Sequence, residues 1–299
     1  RRSDRRSNGT PPVKIRLALL GSAMLLVPAL AVAVPRTFVS ATGGGATCSR
    51  DAPCREFATA LAVTDAGGEV VVLSSGGFEP FTIVRGVTVN VPPGIHASVR
   101  SSGPTDARYG VTVAAPGTAT VVLRGLTIDT SAATSNGSGA SGILYTSAGS
   151  LVVEDVDITG TQTGYSKGGI VAEGSPDPRR VFVRNTTVRG YLRGFAVGLL
   201  CCSTRPVSVE AFIEDSRFID NAYGVYIEAQ NASEIVVRNN VVAGGGNGIQ
   251  VVGPAASKAT IEDNLVAFHA GPGGGAVGDG IQVGGVQAIF VGTVTQFEM

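Results

Sequence analysis

The sequence predicts an all-β solenoid, coils of parallel strands stacked on one another, with one short helix over its N-terminal end. Three observations predict it. The composition is that of strands and turns: among 299 residues there are 42 Gly and no Trp, with only 15% charged and 6% aromatic. Two short phrases recur, interleaved, with one common period, which is the mark of a repeat architecture. Within the first phrase apolar letters alternate as a strand requires, so one face of every copy is apolar and no single copy can bury it alone.

Taken in order, residues 1–33 come first. Arg1, Arg2, Arg5, Arg6, Lys14 and Arg16 stand against the single acid Asp4, and an apolar run follows from Leu17 to Val34. Ala31 and Ala33 form an A-x-A site, so the segment reads as a Sec signal peptide cleaved after Ala33. The alternative is an uncleaved anchor, against which Gly21, Pro28 and the A-x-A site argue. Removing this leader takes six of 23 bases and one of 23 acids and leaves a net charge of −5. The expected product is secreted, periplasmic or held at the cell surface, has no membrane span, and lacks the basic footprint of a nucleic-acid binder.

Residues 34–68 read as a cap segment. Cys48 and Cys54 flank a short Pro-containing loop and are expected to form a disulfide in an oxidising compartment. Phe57 and Leu61 lie at i and i+4 on one helical face, Pro53 suits the first turn, and Gly67–Gly68 stops the helix. Such a helix covers apolar rows and strand edges that an open coil end would expose. Cys201 and Cys202, adjacent in the chain, read as two unpaired small residues in a turn, with a bond between them as the alternative.

Residues 69–299 read as the repeats. The first phrase runs "TVVLRGLTI" (120–128), "SLVVEDVDI" (150–158), "RVFVRNTTV" (180–188), "EAFIEDSRF" (210–218), "EIVVRNNVV" (234–242) and "KATIEDNLV" (258–266), in steps of 30, 30, 30, 24 and 24 residues. It predicts two inward rows: Val121, Leu151, Val181, Ala211, Ile235 and Ala259, then Leu123, Val153, Val183, Ile213, Val237 and Ile261. The second phrase predicts a third row of Ile143, Ile170, Val197, Val225, Ile249 and Ile281. Each stacked aliphatic is worth roughly 1.5–3 kcal/mol of burial.

Next to the second row stand Arg124, Glu154, Arg184, Glu214, Arg238 and Glu262. The sign alternates, so coils about 4.8 Å apart place each charge beside its opposite, and a slip by one coil would place like on like. Arg85 in "VRGVTV" does not continue the series, so that region is expected to stack differently. Gly125, Asp155, Asn185, Asp215, Asn239 and Asp263 follow, then in later coils Ser216, Asn240 and Asn264; Asn and Asp tolerate left-handed turn backbone, and stacked Asn amides can bond to one another along the column. A Ca²⁺ reading of the Asp row fails on spacing, since a site needs six to eight oxygens around one point.

A 24–30-residue repeat with Val/Ile rows and Asn/Asp turns, preceded by "CREFATALAVTDAGGEVVVLSSGGFEPFTI" (54–83), resembles the right-handed parallel β-helix of the pectin lyase-like superfamily over about residues 36–297. Leucine-rich repeats and propellers fit less well, for want of the Leu/Asn consensus and of Trp. "AIFVGTVTQF" (288–297) reads as a further coil with no cap after it, and the chain begins without Met, so a fragment is expected.

The resemblance implies either a polysaccharide lyase or glycoside hydrolase acting on uronate-rich polymers, or a non-catalytic module. The hydrolase motif set is absent, and neither "STRPVSVE" nor "DPRRVFVR" matches the R-x-P-x-x-R of pectate-lyase-type enzymes. Catalytic residues are therefore unassigned; Lys167 with Glu173, or His269 with Asp279, could be forced into acid–base roles but read as solvated loop residues. No cofactor or metal is expected, Ca²⁺ belonging only to the lyase alternative. Two outward columns remain as candidate ligand-binding rows. One is Val122, Val152, Phe182, Phe212, Val236 and Thr260, an aliphatic stripe with two Phe, explained by loops such as 131–140, 174–179 and 201–206 folding over it, by β-propensity alone selecting Val there, or by a partner. The other is Tyr226, Gln250 and Gln282, placed to stack on and hydrogen-bond a sugar chain. The expected partner is extracellular polysaccharide or a cell-surface component bound along the side of the solenoid.

Overall fold

The computed structural model describes residues 34–101, 109–133, 139–146, 149–161, 168–173, 179–198, 208–268, 280–291 and 295–298. Residues 1–33, Cys201, Cys202, Lys167, His269 and Asp279 lie outside the described residues. One coil shows the plan of all. Gly149–Glu154 forms a strand, a two-residue corner follows, Asp157–Thr159 forms a second strand and Gly168–Ala172 a third, before Arg179–Arg184 begins the next coil. Each strand pairs in parallel with its equivalents one coil away, giving three sheets of ten, nine and eight strands among the described residues. The product is a parallel β-helix.

The two inward rows of the first sheet are in register across six coils, Leu151 on Val121 and Val181, Ile213 on Val183 and Val237, and every member is at most 1% exposed. The third row needs a correction. Ile170 pairs with Phe195, and Phe195 with Val225; Val197 sits one inward position on, between Ala172 and Ile227. Glycine decides this register. Side chains at Gly142, Gly169, Gly194 and Gly224 would drive into the second sheet, a Cβ at Gly169 standing 2.1 Å from Val188 Cγ1. The residue after each of these glycines is therefore the core member, and in "GFAV" that residue is Phe195.

The corner between first and second sheets places Gly125, Asp155, Asn185, Asp215, Asn239 and Asp263 at φ of 74°, 56°, 46°, 52°, 53° and 51°, the left-handed region that Gly, Asn and Asp adopt most easily. Their alternation has its own bond. Asn185 Nδ2 donates to Asp155 Oδ1, and Asn239 Nδ2 to Asp215 Oδ1. The following residue points inward and changes character along the solenoid: Leu126 and Val156, then Thr186 and Ser216, then Asn240 and Asn264, all buried. Asn240 Nδ2 donates to Ile213 O (2.9 Å) and to Asn264 Oδ1 (3.0 Å), while Asn240 Oδ1 accepts from Ser216 N at 2.9 Å.

At the N-terminal end a helix, Phe57–Val63, buries Phe57, Ala60 and Leu61. Phe57 packs on Phe78 and Phe81, ring centroids 4.9 and 4.5 Å away, on the first strands of the second and third sheets. Two details differ from expectation. Pro53 lies before the helix, its carbonyl accepting from Gly45 N. The helix ends at Thr64, which turns extended and pairs with Val34, whereas Gly67 sits at φ 80° in the bulge that follows. The outermost strand, Val34–Val39, does not offer a bare edge: Cys48 and Cys54 are disulfide-bonded, and their loop pairs with Phe38 and Ser40. Arg85 does not mark a break either. Val87–Asn90 stacks on Val121–Arg124 in the common register, with Asn90 at the charged position, while Arg85 precedes the strand and donates to Thr64 O at 3.0 Å.

Candidate functional site

The charged column forms on the outside of the first sheet. Arg124 reaches Glu154 at 2.7 Å and Arg184 pairs with the same carboxylate. Arg238 reaches Glu214 at 2.9 Å and Glu262 at 3.9 Å. The two guanidiniums hold the Glu154 carboxyl below its ordinary range. Beside this ladder Val152, Phe182, Phe212 and Val236 form the expected stripe, all half-buried. Phe182 and Phe212 stack 5.0 Å apart with ring planes 7° from parallel. Rings stacked along the coil axis turn their edges outward, so they form an apolar ridge and offer no open ring face to a sugar.

The outward column Tyr226, Gln250, Gln282 is in register on the third sheet, but its burial corrects the expected picture. Earlier members of the column, Leu144, Val171 and Ala196, are buried and pack with Tyr109. Tyr226 is only 9% exposed; its ring lies under Arg193 at 4.8 Å and its hydroxyl donates to Glu228 Oε2 at 3.0 Å. Burial pushes the phenol up to about 12. Tyr226 is thus a fixed base of the site and not a free stacking platform. Gln250 is half-buried and Gln282 exposed.

Arg193, Tyr223 and Glu228 complete this face. The strand register brings Arg193 opposite Tyr223, and Tyr223 opposite Asn247. Tyr223 meets Tyr226 edge-on at 5.5 Å, and the Arg193 guanidinium stands 5.6 Å from the Tyr223 ring. Two ring faces under one cation fix its direction. Its buried Nε has no hydrogen-bond partner, and desolvation pulls its pKa below the ordinary arginine value. A half-buried cation, a carboxylate, a half-exposed phenol and two carboxamides, one coil apart, make a strip rich in directed donors and acceptors.

A second arginine was also unforeseen. Arg179, in the run "DPRR", is wholly buried. Its Nη1 donates to Glu173 O at 2.7 Å and Tyr145 O at 3.3 Å, and it lies over the Tyr145 ring at 5.5 Å. These bonds tie the third sheet to the start of the next coil. Among the described residues no three His, Cys, Asp or Glu side chains converge on a point that could hold a metal, and no helix is long and apolar enough to cross a membrane.

The family model described as right handed beta helix region matches residues 105–280, more than half of the chain. The chain belongs to the right-handed beta helix family. The match spans the coils that carry the ion-pair ladder, the Phe ridge and the Arg193–Tyr226 strip. A solved structure of a pectin methylesterase variant in complex with a hexasaccharide aligns with 78% of this chain and 80% of its own, at 13% identity and a TM-score of 0.39. No curated protein matches this right-handed beta helix chain.

Proposed function

We propose that this is an exported, non-catalytic β-helix that binds extracellular polysaccharide along the outer face of its third sheet. The observation that carries the reading is the Arg193–Tyr223–Tyr226–Glu228 cluster continued by Gln250 and Gln282. Sugars are recognised by fixed donors and acceptors beside apolar or aromatic surface, and here both stand on rigid strands repeating about every 4.8 Å. The Cys48–Cys54 disulfide supports an oxidising compartment, and a leader ending at Ala33 would deliver the chain there.

Retention of the protein on immobilised plant, bacterial and algal polysaccharides tests the proposal. Gln250→Ala with Gln282→Ala, and separately Tyr223→Ala, are expected to lower retention several-fold while leaving the fold intact. Retention unchanged on every polymer removes the third sheet from the account. New reducing or unsaturated ends after incubation, with or without Ca²⁺, would show catalysis and replace the non-catalytic reading.

A further inference from the structure

The outer face of the first sheet is not used by that reading, and its charges have a symmetry of their own. Numbering by coil, the ladder reads Arg124, Glu154, Arg184, then Glu214, Arg238, Glu262. The first three form one ion-paired group of net charge +1 and the last three another of net charge −1. Reversing the coil order about the midpoint between Phe182 and Phe212 exchanges every sign. The column at the start of the strands does the same at its centre, where Arg180 pairs with Glu210 at 2.6 Å. Between the two charged columns runs the apolar stripe with its Phe ridge, beside a depression of about 460 Å³ bounded by Val152, Phe182, Phe212 and the Glu154–Arg184–Glu214 edge.

We propose that this face binds a second copy of the chain, face to face, about a twofold axis that lies between the coils of Phe182 and Phe212 and runs along the strands. Such an axis keeps position along the strand and reverses coil order. Arg184 then faces Glu214 of the second copy, Glu154 faces its Arg238, Arg124 faces its Glu262, and Arg180 faces its Glu210. Phe182 faces Phe212 and Val152 faces Val236, so the apolar stripe meets itself. The ladder arginines keep 45–60% of their side chains exposed within one copy, which leaves guanidinium surface for the second. An isologous contact of this kind closes at two copies.

The other face-to-face twofold, parallel to the solenoid axis, keeps the coil and reverses the strand. It sets Arg184 against Arg180 and Glu214 against Glu210 of the second copy, like against like at the centre. Charge therefore selects the reversed arrangement. Six coils about 4.8 Å apart and five residues wide span roughly 450–500 Å² of flat sheet per copy, and side-chain relief brings the total to the lower end of specific interfaces. A reversible dimer in the micromolar range is the expected outcome.

Sedimentation of the full chain across the micromolar range tests this. Phe182→Ala with Phe212→Ala should abolish the dimer. Arg180→Glu should weaken it about tenfold, and adding Glu210→Arg should restore it, because the double exchange rebuilds both the internal and the intermolecular pair. Unfolding midpoints of the variants, read alongside, separate loss of contact from loss of fold. In a Cys201→Ser, Cys202→Ser background, Val152→Cys together with Val236→Cys should give a covalent dimer with a thiol cross-linker spanning the sheet-to-sheet gap of about 10 Å, and Val152→Cys alone should not. A monomer at every concentration, a dimer indifferent to the Phe and Arg180 substitutions, or cross-linking through Val152→Cys alone would each overturn the proposal.

Discussion

The corner between the first and second sheets and the outer face of the third sheet are built on the same coils, yet they use sequence in opposite ways. At the corner six successive coils repeat one device: a left-handed Gly, Asn or Asp, a charge of alternating sign, and a buried residue behind them. On the third sheet equivalent positions change from coil to coil, Ser141, Gly168, Arg193, Tyr223, Asn247 in one column and Leu144, Val171, Ala196, Tyr226, Gln250 in the next. A position repeated in every coil answers a demand that every coil shares, which is stacking. A position that departs from its column answers a demand made at one place, and that is where a ligand-recognising cluster is to be sought.

Substitutions can break this contrast, and the largest effect is expected at the corner. Asn240→Ala leaves Ile213 O and Ser216 N buried without the partner each now has, and removes the amide bond to Asn264. A loss of about 2–4 kcal/mol in urea unfolding is expected, with binding to any glycan unaffected at temperatures where the protein is folded. Next, Asp215→Ala forces a Cβ-bearing residue without a polar side chain to stay at φ 52° and removes the acceptor of Asn239. It should cost about 1–2 kcal/mol, and Asp215→Gly should cost less because Gly takes that backbone freely. Equal losses for the two substitutions would show that the side-chain bond, and not the backbone, dominates the corner.

A smaller effect is expected from pH. Glu154 titrates lower in the folded chain than in the unfolded one, first through its hydrogen bonds from Arg184 and Arg124. A depressed folded value means that its contribution is present above the ordinary glutamate range and is lost as pH falls through the folded value. Stability should therefore drop below about pH 4, and Glu154→Gln should flatten that part of the profile while changing little at pH 7 and above beyond the loss of the ion pairs. The smallest change in stability belongs to the third sheet: Gln282→Ala, on an exposed side chain, should stay within about 0.5 kcal/mol of the parent. If it destabilised the fold as much as Asn240→Ala, the division between repeated structure and singular function would not hold.

The same division sets what was legible in the letters. The inward rows, the sign alternation and the turn residues were readable because each is stated six times in register. Bonding between stacked Asn amides was expected and occurs from Asn240 to Asn264; the alternation of Asn with Asp was equally visible, and the Asn-to-Asp bonds it makes between coils are what the structure adds. Val197 was misplaced because "GFAVGL" offers two apolar candidates, and only the approach of Gly194 to the second sheet decides for Phe195. Arg193 and Glu228 were missed because nothing in the chain repeats them; they meet Tyr226 only through strand register and the reach of side chains. Arg179 stands in a charged run, yet it is buried, since its Nη1 finds backbone carbonyls at the edge of the core.

By itself the sequence determined the period, the side of each strand that faces inward and the neighbours of each ladder charge, because parallel stacking turns a repeat along the chain into a contact in space. Only the tertiary structure decided which outward residues stay reachable and which are covered, as it did for Tyr226. Exposure depends on every neighbour at once, and no residue carries that information in its own letter.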